Sequence, residues 1–409
     1  MQLSAARARP WLCALLLMSL PRAPAQADAK VGAGTTVFHE PGSNIHMTVL
    51  VPQVDADVEL TDGFAMQAAW TADVVSGASV AVVDAPAEEL DAVTSATVTD
   101  MRHVFGGGLR LFGSKSSLSA SYSYGFENDY RSHGFDLRAR TELFERNTAF
   151  ELTYARAFDT VCDGPGAPEA VLKPRLDSSD GCFEDAGDEP EPLRNERDLS
   201  LQTFQASWSQ NWTPILTMQA TATAQVLSGF QVNPYRAVRI GRTAAQEHHP
   251  EDRARYALGV ALNLWIKPLS GALQGRVRGY RDTWNIRSAT AELAYEQVLG
   301  SGMRMRVRGR YYAQTAAVFY SDDYVLAPRG QYFTGDRELS AMRIALGGVQ
   351  LGWSIPADDD GDVLGAFDAF EISAKGDLLK HFFDDFHYDQ VKVPNDVALI
   401  GTFALSAAF

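Results

Sequence analysis

The chain has 409 residues, of which 46% are hydrophobic, 10% aromatic and 21% charged, and its formal net charge is −15. The acidic balance argues against nucleic-acid binding, because contacts to phosphates need a basic surface. The aromatic and aliphatic content is too high for a disordered chain. The length fits two or three ordinary domains or one large closed β-sheet.

The chain begins with the features of an export signal. Two arginines precede the apolar run Trp11–Leu20, and the small-residue pattern Ala25-Gln26-Ala27 follows it. This order is typical of a secretory signal peptide. We therefore predict a signal peptide over residues 1–27 and one mature unit over residues 28–409. No later run approaches the ~18 apolar residues that a spanning helix needs.

The rest of the chain is dominated by alternation of apolar and polar residues. In residues 54–60, valine, alanine and leucine occupy the even positions, and Asp55, Asp57 and Glu59 occupy the odd ones. Strict alternation is the period of a β-strand and not of a helix. The alternating segments run for about ten to sixteen residues, which exceeds the usual five or six of globular strands and suits tilted strands that cross a membrane.

We predict an all-β transmembrane barrel of about sixteen antiparallel strands, with short periplasmic turns and long extracellular loops. The strands are placed at 30–38, 45–60, 64–76, 102–112, 116–126, 133–144, 148–158, 198–211, 214–228, 254–266, 271–283, 288–299, 303–317, 339–354, 363–380 and 395–409. The last strand alternates and ends on Phe409, which resembles the recognition strand of bacterial outer-membrane barrels. Such a barrel would leave an aqueous channel. Counts of about fourteen or eighteen strands remain alternatives, as does a soluble β-sandwich or propeller whose apolar stripes meet in a core.

The face that we predict to line the lumen is charged and uneven. An early strand carries the three acids at positions 55, 57 and 59, whereas later strands carry arginines at alternate positions. These arginines are Arg276, Arg278, Arg304, Arg306, Arg308 and Arg310. Such a lumen would set up a transverse field that orients polar or anionic solutes. The alternative is a lattice of ion pairs, in which Glu292 and Glu296 face the arginines and brace the wall.

Two cysteines follow the signal peptide, Cys162 and Cys182. A nearby pair in an exported chain predicts a disulfide. The bond would clip the acidic loop 159–197 and stabilise the fold by roughly 3 kcal/mol in the chain-entropy model. A metal pair is the alternative, but no histidine stands at a matching spacing.

Three other groups of residues carry weaker chemical signals. Ser132 and His133 provide a nucleophile and a base for a membrane hydrolase, but no orienting third group stands at a telling spacing. The last long loop holds a loose metal-like cluster made of His381, Asp384, Asp385, His387 and Asp389. The acidic turn 358–362 lacks the full calcium-loop pattern. We therefore predict no catalysis and no metal, and we expect outer-membrane lipid and the barrel-assembly machinery as partners.

Several segments, in their order along the chain, resemble one bacterial family. They are residues 73–79, 91–97, 127–132, 280–286 and 321–324. Together they resemble a family of outer-membrane barrels known only as domain of unknown function 3570. The resemblance covers nearly the whole mature chain. It implies a barrel fold in the outer membrane of a Gram-negative envelope, and it supplies no activity.

Within this resemblance, two segments are similar to a flavin-attachment motif, Asp-x-x-Ser/Thr-Gly-Ala-Thr. Proteins with that motif carry FMN on the threonine through a phosphoester, which a flavin transferase forms outside the cytoplasm. The matching residues are Asp73, Ser76, Gly77 and Ser79 in the first copy, and Asp91, Thr94, Ala96 and Thr97 in the second. Ser79 replaces the acceptor threonine of the first copy, and Ser95 replaces the glycine of the second.

The motif implies covalent FMN in loop 76–101, at Thr97 or at Ser79. Small neighbouring residues would let the transferase approach the backbone closely. The barrel would then be an electron-transfer scaffold whose cofactor supplies the chemistry, with a periplasmic flavin transferase and a redox partner. A passive porin-like channel and a non-catalytic structural barrel are the alternative functions.

Overall fold

The segments that alternate in the sequence form β-strands, and these strands close into one antiparallel barrel. In this computed structural model the described residues are 28–41, 47–77, 100–164, 167, 170–176, 195–241, 243–321, 324, 327–355, 363, 367–384, 386–388, 391–392 and 396–409. The twenty described strands are numbered in chain order, and sixteen of them form the barrel.

The barrel strands, in their order around the wall, are β1 (Ala29–Glu40), β2 (Met47–Thr61), β3 (Phe64–Gly77), β4 (Asp100–Phe112), β5 (Ser116–Phe126), β6 (Tyr130–Leu143), β7 (Thr148–Asp163), β8 (Asn195–Thr213), β9 (Leu216–Gly229), β12 (Asp252–Ile266), β13 (Gly271–Asp282), β14 (Arg287–Gly300), β15 (Met303–Gln314), β16 (Met342–Ile355), β17 (Ala369–Phe383) and β20 (Val397–Ala408). Two short hairpins lie in the loops. They consist of β10 (Ala237–Ile240) with β11 (Thr243–Gln246), and of β18 (His387–Tyr388) with β19 (Val391–Lys392).

The first and last strands close the sheet. β1 pairs with β2 on one side and with β20 on the other, in a register that runs from Lys30↔Ala408 to His39↔Leu399. The prediction of sixteen strands is confirmed, and the counts of fourteen and eighteen are wrong. The sandwich alternative is also wrong, because every long strand belongs to one closed sheet.

The two ends of the barrel differ in their connections. At the end that holds both chain termini of the barrel, tight turns such as 62–63, 214–215 and 301–302 join the strands. At the other end the connections 230–251 and 315–341 are long. We call these the short-turn end and the long-loop end. Among the described residues, no helix is long and apolar enough to cross a membrane.

The two faces of the wall differ as the alternation predicts. The outer face exposes large apolar side chains, such as Leu152 (62% exposed), Leu258 (60%) and Leu293 (59%). Aromatic side chains gather on it toward both ends, with His103, Phe105 and Phe126 in contact toward the long loops and Trp208 against Trp212 near the short turns. Such a face suits a hydrocarbon band between two interfacial belts of aromatic residues.

At the long-loop end, two long connections pack against each other. Residues of the β10–β11 hairpin form an apolar cluster with the connection between β15 and β16. The cluster consists of Val238, Ile240, Ala245, Tyr324 and Phe333. Backbone bridges Ile240↔Tyr324 and His248↔Phe333 join the two connections. The sequence predicted these segments only as loops, and their mutual packing gives the barrel an ordered mouth.

Candidate functional site

The predicted arginine ladder lies on the inner face of one wall. In the strand register, Glu292 of β14 stands opposite Arg276 of β13 and Arg310 of β15. Residues opposite each other in an antiparallel pair share a face, and residues two apart in a strand share it as well. All six predicted arginines therefore point into the lumen, while the intervening Val277 and Val307 point outward.

Carboxylates neutralise only part of this wall. Arg308 donates two hydrogen bonds to Asp377, at 2.9 and 2.7 Å. Arg304 pairs with Glu371, and Arg276 and Arg306 approach Glu292 at 3.6 and 3.7 Å. Among the described residues, Arg278 and Arg310 form no ion pair with a carboxylate. The wall is therefore partly a lattice of ion pairs and partly a source of uncompensated positive charge.

The predicted acids Asp55, Asp57 and Glu59 line the opposite wall. β2 is second and β13 eleventh in the order of the sixteen strands, so the two walls face each other across the lumen. Arg110 of β4 donates to Asp57 at 2.9 Å and to Glu59 at 3.3 Å. The sequence analysis did not select Arg110. Its alternation with Gly106 and Gly108 on β4 could have placed it on the inner face.

Asp55 has a different surrounding, because it lies beside a glycine. A Cβ on Gly32 would lie 2.6 Å from Oδ1 of Asp55, so only glycine leaves room for the carboxylate there. Asp55 and Gly32 are register partners on β2 and β1. The acidic wall therefore keeps one carboxylate without a described arginine partner, and the lumen carries charge of opposite sign on opposite walls.

A cavity of about 590 Å³ lies at the long-loop end between the wall and the ordered loops. Arg102, Arg253 and Arg255 line its wall side, and Asp336 and Leu339 line its loop side. The Nε of Arg253 donates to Asp282 at 2.9 Å, and its guanidinium lies 3.8 Å from the centroid of the Trp284 ring. This vestibule is therefore aromatic in part and lined by charge of both signs, because Glu127, Asp129 and Glu338 also belong to its lining.

The loops that border the vestibule contain buried charged groups. Arg236 pairs with Asp336, whose side chain also accepts a hydrogen bond from the backbone N–H of Glu338 at 2.8 Å. His249 is buried, and its Nδ1 lies 3.1 Å from the carbonyl oxygen of Gln231. Burial lowers the pKa of His249 to about 4, so this ring is neutral at physiological pH.

A latch joins the connection 315–341 to the wall. Arg337 forms ion pairs with Glu40 at 3.0 Å and with Asp396 at 3.2 Å. Burial first, and then a hydrogen bond to Glu40 and repulsion from it, raise the pKa of Asp396 to about 7. Because Glu40 is on the inner face of β1, Arg337 brings this connection inside the mouth.

The structure separates the two residues of the suggested hydrolytic pair. Ser132 points into the lumen, where its Oγ donates to Asp159 at 2.6 Å. His133 points outward, where its Nδ1 lies 2.7 Å from the hydroxyl of Tyr122. Adjacent residues of a strand face opposite sides, so a Ser132–His133 dyad is wrong. Among the described residues, no group of three or more histidine, cysteine, aspartate or glutamate side chains could hold a metal.

The residues of the flavin-attachment motif fall largely outside the described part of the chain. Asp73 stands opposite Arg102 in the register of β3 and β4, and the backbone of Ser76 and Gly77 belongs to β3. The remaining residues, Ser79, Asp91, Thr94, Ala96 and Thr97, lie outside the described residues. Cys162 is buried and disulfide-bonded, but Cys182 also lies outside them, so their pairing stays a prediction.

Comparison with known proteins gives a family and a fold. The family model described as "Protein of unknown function (DUF3570)" matches residues 11–376. A solved bacterial polysaccharide outer membrane secretin is 10% identical, with a TM-score of 0.51 over 94% of this chain and 98% of that one.

Two other solved structures align over most of their length. OpdK of Pseudomonas aeruginosa is 7% identical, with a TM-score of 0.44 over 94% and 98% of the two chains. A loop-deletion mutant of OmpT of Vibrio cholerae is 9% identical, with a TM-score of 0.42 over 94% and 99%. No curated protein matches the sequence.

Proposed function

The chain belongs to the family described as protein of unknown function (DUF3570), and we propose that this outer-membrane barrel is a passive channel that favours small anionic solutes. The observation that carries the proposal is the state of Arg278 and Arg310. Both belong to the inner arginine ladder, and neither has a carboxylate partner among the described residues. Their positive charge is therefore available to attract solutes in the lumen.

The arrangement of charge gives a physical reason for this preference. Side chains in a narrow aqueous lumen act on a solute through less water than they would on an open surface, so their field is felt more strongly. An anion would be drawn toward the arginine wall and kept from the wall of Asp55. Rings and rows of arginine are a known means of anion selection in pores.

The ladder also favours movement over tight binding. Arginines at alternate positions of β15 offer successive weak sites along the strand, at a spacing of roughly 7 Å. Conduction needs several sites that bind enough to admit an ion and weakly enough to release it. Four of the six arginines already share carboxylates, which weakens their hold on a passing anion.

The vestibule is a place where a solute can enter. Its volume of about 590 Å³ between the wall and connection 315–341 can admit a small organic acid with its water. Its lining carries charge of both signs, because Arg253 is paired with Asp282 and four acids, Glu127, Asp129, Asp336 and Glu338, also line it. We therefore expect selection for anions at the arginine ladder and not at the vestibule, with carboxylates of metabolite size as the solutes.

Planar-bilayer recordings test the proposal. Wild-type protein in a salt gradient should give a reversal potential that indicates anion preference. A double variant, Arg278→Ala with Arg310→Ala, should lower the anion-to-cation permeability ratio by roughly two- to fivefold. The matched control is Arg281→Ala with Arg287→Ala, which removes the same charge from the outer face and should leave the ratio unchanged.

Three outcomes would contradict the proposal. The first is folded protein that gives no conductance in the bilayer, which would favour a structural barrel that presents its loops to partners. The second is a pore whose selectivity does not respond to Arg278 and Arg310. Selectivity for cations in the wild type would reverse the sign that the ladder requires.

The flavin scaffold is the second candidate. Its support is the resemblance of residues 73–79 and 91–97 to the attachment motif, of which the first copy begins in β3 and the second follows in the connection between β3 and β4. Covalent FMN at Thr97 would make the barrel an electron carrier, and it needs no change in the lumen. The two functions are compatible, and the flavin has its own test.

A further inference from the structure

The outer face of the barrel is not evenly convex. A cavity of about 1210 Å³ opens on it, across strands β5 to β14. Small residues, Ala206, Ala222, Ala224 and Gly279, leave its space open, and large neighbours such as Phe204 border it. These residues have the outward parity of their strands, so this outer groove faces the hydrocarbon and not the lumen.

The groove follows the strand register across the wall. Its outward-facing residues fall in two rows of cross-strand partners, one through Ala206↔Ala222 and the other through Phe204↔Ala224, and the row between them, through Gln205↔Thr223, forms the floor of the groove with side chains of inward parity. Barrel strands are tilted by roughly 40°, so a row perpendicular to them climbs along the barrel axis. The groove starts at Leu118, two residues inside β5 at its short-turn end, and reaches the long-loop end of β13 and β14.

Two arginines stand where the groove reaches the long-loop end. Arg281 of β13 and Arg287 of β14 are direct register partners, and both line the groove. Like charges directly opposite each other across a strand pair are destabilising unless a counter-charge is supplied. The guanidinium of Arg281 lies 5.7 Å from the centroid of the Tyr256 ring. Among the described residues, neither arginine forms an ion pair.

We propose that the outer groove binds a phosphate-bearing, multi-acyl lipid of the outer leaflet, of the lipid A class. The acyl chains would lie in the groove, and the phosphate would be shared by Arg281 and Arg287. Arginine is suited to this role because its planar fork binds phosphate oxygens in pairs. The long-loop end carries the headgroup level of the outer leaflet, which puts the two charges at the depth where the phosphates lie.

Charge favours a lipid over a second copy of the chain as the occupant. A two-fold pairing through the groove would bring the same surface of each copy together. A pairing that covered Arg281 and Arg287 with the same residues of the other copy would bring four arginines together, without a carboxylate among the described lining residues. A phosphate-bearing lipid supplies the missing counter-charge, and flexible acyl chains can fill an irregular groove.

Native mass spectrometry of the full-length barrel tests the proposal. The detergent-purified protein is titrated with diphosphoryl lipid A, with the same lipid after removal of both phosphates, and with phosphatidylethanolamine. We expect the diphosphoryl lipid to be retained at least tenfold more than either of the others. Equal retention of the phosphate-free lipid would overturn the proposal, because the arginines would then contribute nothing.

Two variants separate the charge of the groove from its open space. Arg281→Gln with Arg287→Gln should reduce retention of the diphosphoryl lipid at least tenfold. Gly279→Leu should also reduce it by filling the groove, and an added Cβ there meets open space, so the barrel should still fold. The matched control, Arg278→Ala with Arg310→Ala, removes two arginines that face the lumen and should retain the lipid as the wild type does.

The outcomes of this experiment are independent of conduction. A barrel that binds the lipid but does not conduct supports the groove and contradicts the channel. Retention that survives both the Arg281/Arg287 variant and Gly279→Leu would overturn the groove. If either variant fails to fold, the rise in melting temperature that the wild type gains from lipid A, compared with its dephosphorylated form, decides the same question.

Discussion

Arg337 forms a bidentate ion pair with Glu40, in which each terminal nitrogen donates a hydrogen bond of 3.0 Å to one carboxylate oxygen. The two residues are 297 positions apart in the chain. Both are buried, at 9% and 2% exposure, so the pair is well shielded from solvent. The contact fastens connection 315–341 to the inner face of β1, and it makes the ordered mouth a property of the folded barrel.

Breaking this pair should release the connection. Removing one partner of a buried ion pair leaves an uncompensated charge and costs about 3–5 kcal/mol. We therefore expect Arg337→Ala to speed limited proteolysis within residues 315–341 and to raise single-channel noise. Arg343→Ala serves as the control, because Arg343 forms an exposed pair with Asp384 that should add little. Equal protease sensitivity of the two variants would contradict the latch.

The latch should also respond to pH. The pKa of Asp396 is raised from 3.8 to about 7 in the folded chain, by burial first and by Glu40 second. The folded state therefore holds a proton that the unfolded state releases, and the stability of the latch rises as pH falls through 7. The groups facing Asp396 are Glu40 of β1, Arg337 of the connection and His381 of β17.

Proteolysis of residues 315–341 at pH 8 and pH 6 measures this response. Cleavage should be slower at pH 6, and Asp396→Asn should remove the difference by keeping the group neutral. The buried His249 acts in the opposite direction once the pH falls below its unfolded pKa of 6.5, and burial raises the pKa of Glu338 in the same direction as that of Asp396. The loss of the difference in Asp396→Asn is therefore the result that assigns the response to Asp396. Faster cleavage at pH 6 than at pH 8 would contradict the prediction that protonation of Asp396 stabilises the latch.

The barrel itself was predictable because its information is local. Alternation over residues 54–60 predicts which side chains share a face of the strand. The same two-residue period placed the arginines of β15 on one face. The sixteen strands follow from repeating that rule along the chain. For the same reason the Ser132–His133 dyad was wrong, since adjacency in a strand means opposite faces.

The pairing within the site was not predictable from local pattern. Asp377 neutralises Arg308 because β17 lies next but one to β15, and only the register decides which carboxylate reaches which arginine. Arg310 is left unpaired by the same register. The outer groove forms because the register aligns small residues from several strands. No single segment of the sequence contains that information.

The turn between β14 and β15 offers a stability test with an internal control. Gly300 and Gly302 both have positive φ, at 91° and 78°. A Cβ on Gly300 would meet nothing within 4 Å, whereas one on Gly302 would overlap the carbonyl oxygen of Ser354. We expect Gly300→Ala to cost about 1 kcal/mol and Gly302→Ala clearly more.

Urea unfolding of the two variants in detergent or lipid measures the difference. The shift in resistance of the folded barrel to denaturing electrophoresis gives a second readout. Similar losses in both variants would mean that the β16 backbone yields to the added methyl group. A larger loss for Gly300→Ala would contradict the geometry of the turn.

Flavin attachment can be decided by fluorescence of the denatured chain. We expect protein co-expressed with a periplasmic flavin transferase to keep flavin fluorescence through denaturing electrophoresis, because a phosphoester to threonine survives unfolding. Thr97→Ala should abolish the signal if that residue is the acceptor, and Ser79→Ala should then preserve it. Thr99→Ala is the control, since it removes a threonine hydroxyl two residues beyond the acceptor and outside the motif. Wild-type protein that stays free of flavin beside an active transferase would end the electron-carrier hypothesis and leave the lumen as the seat of function.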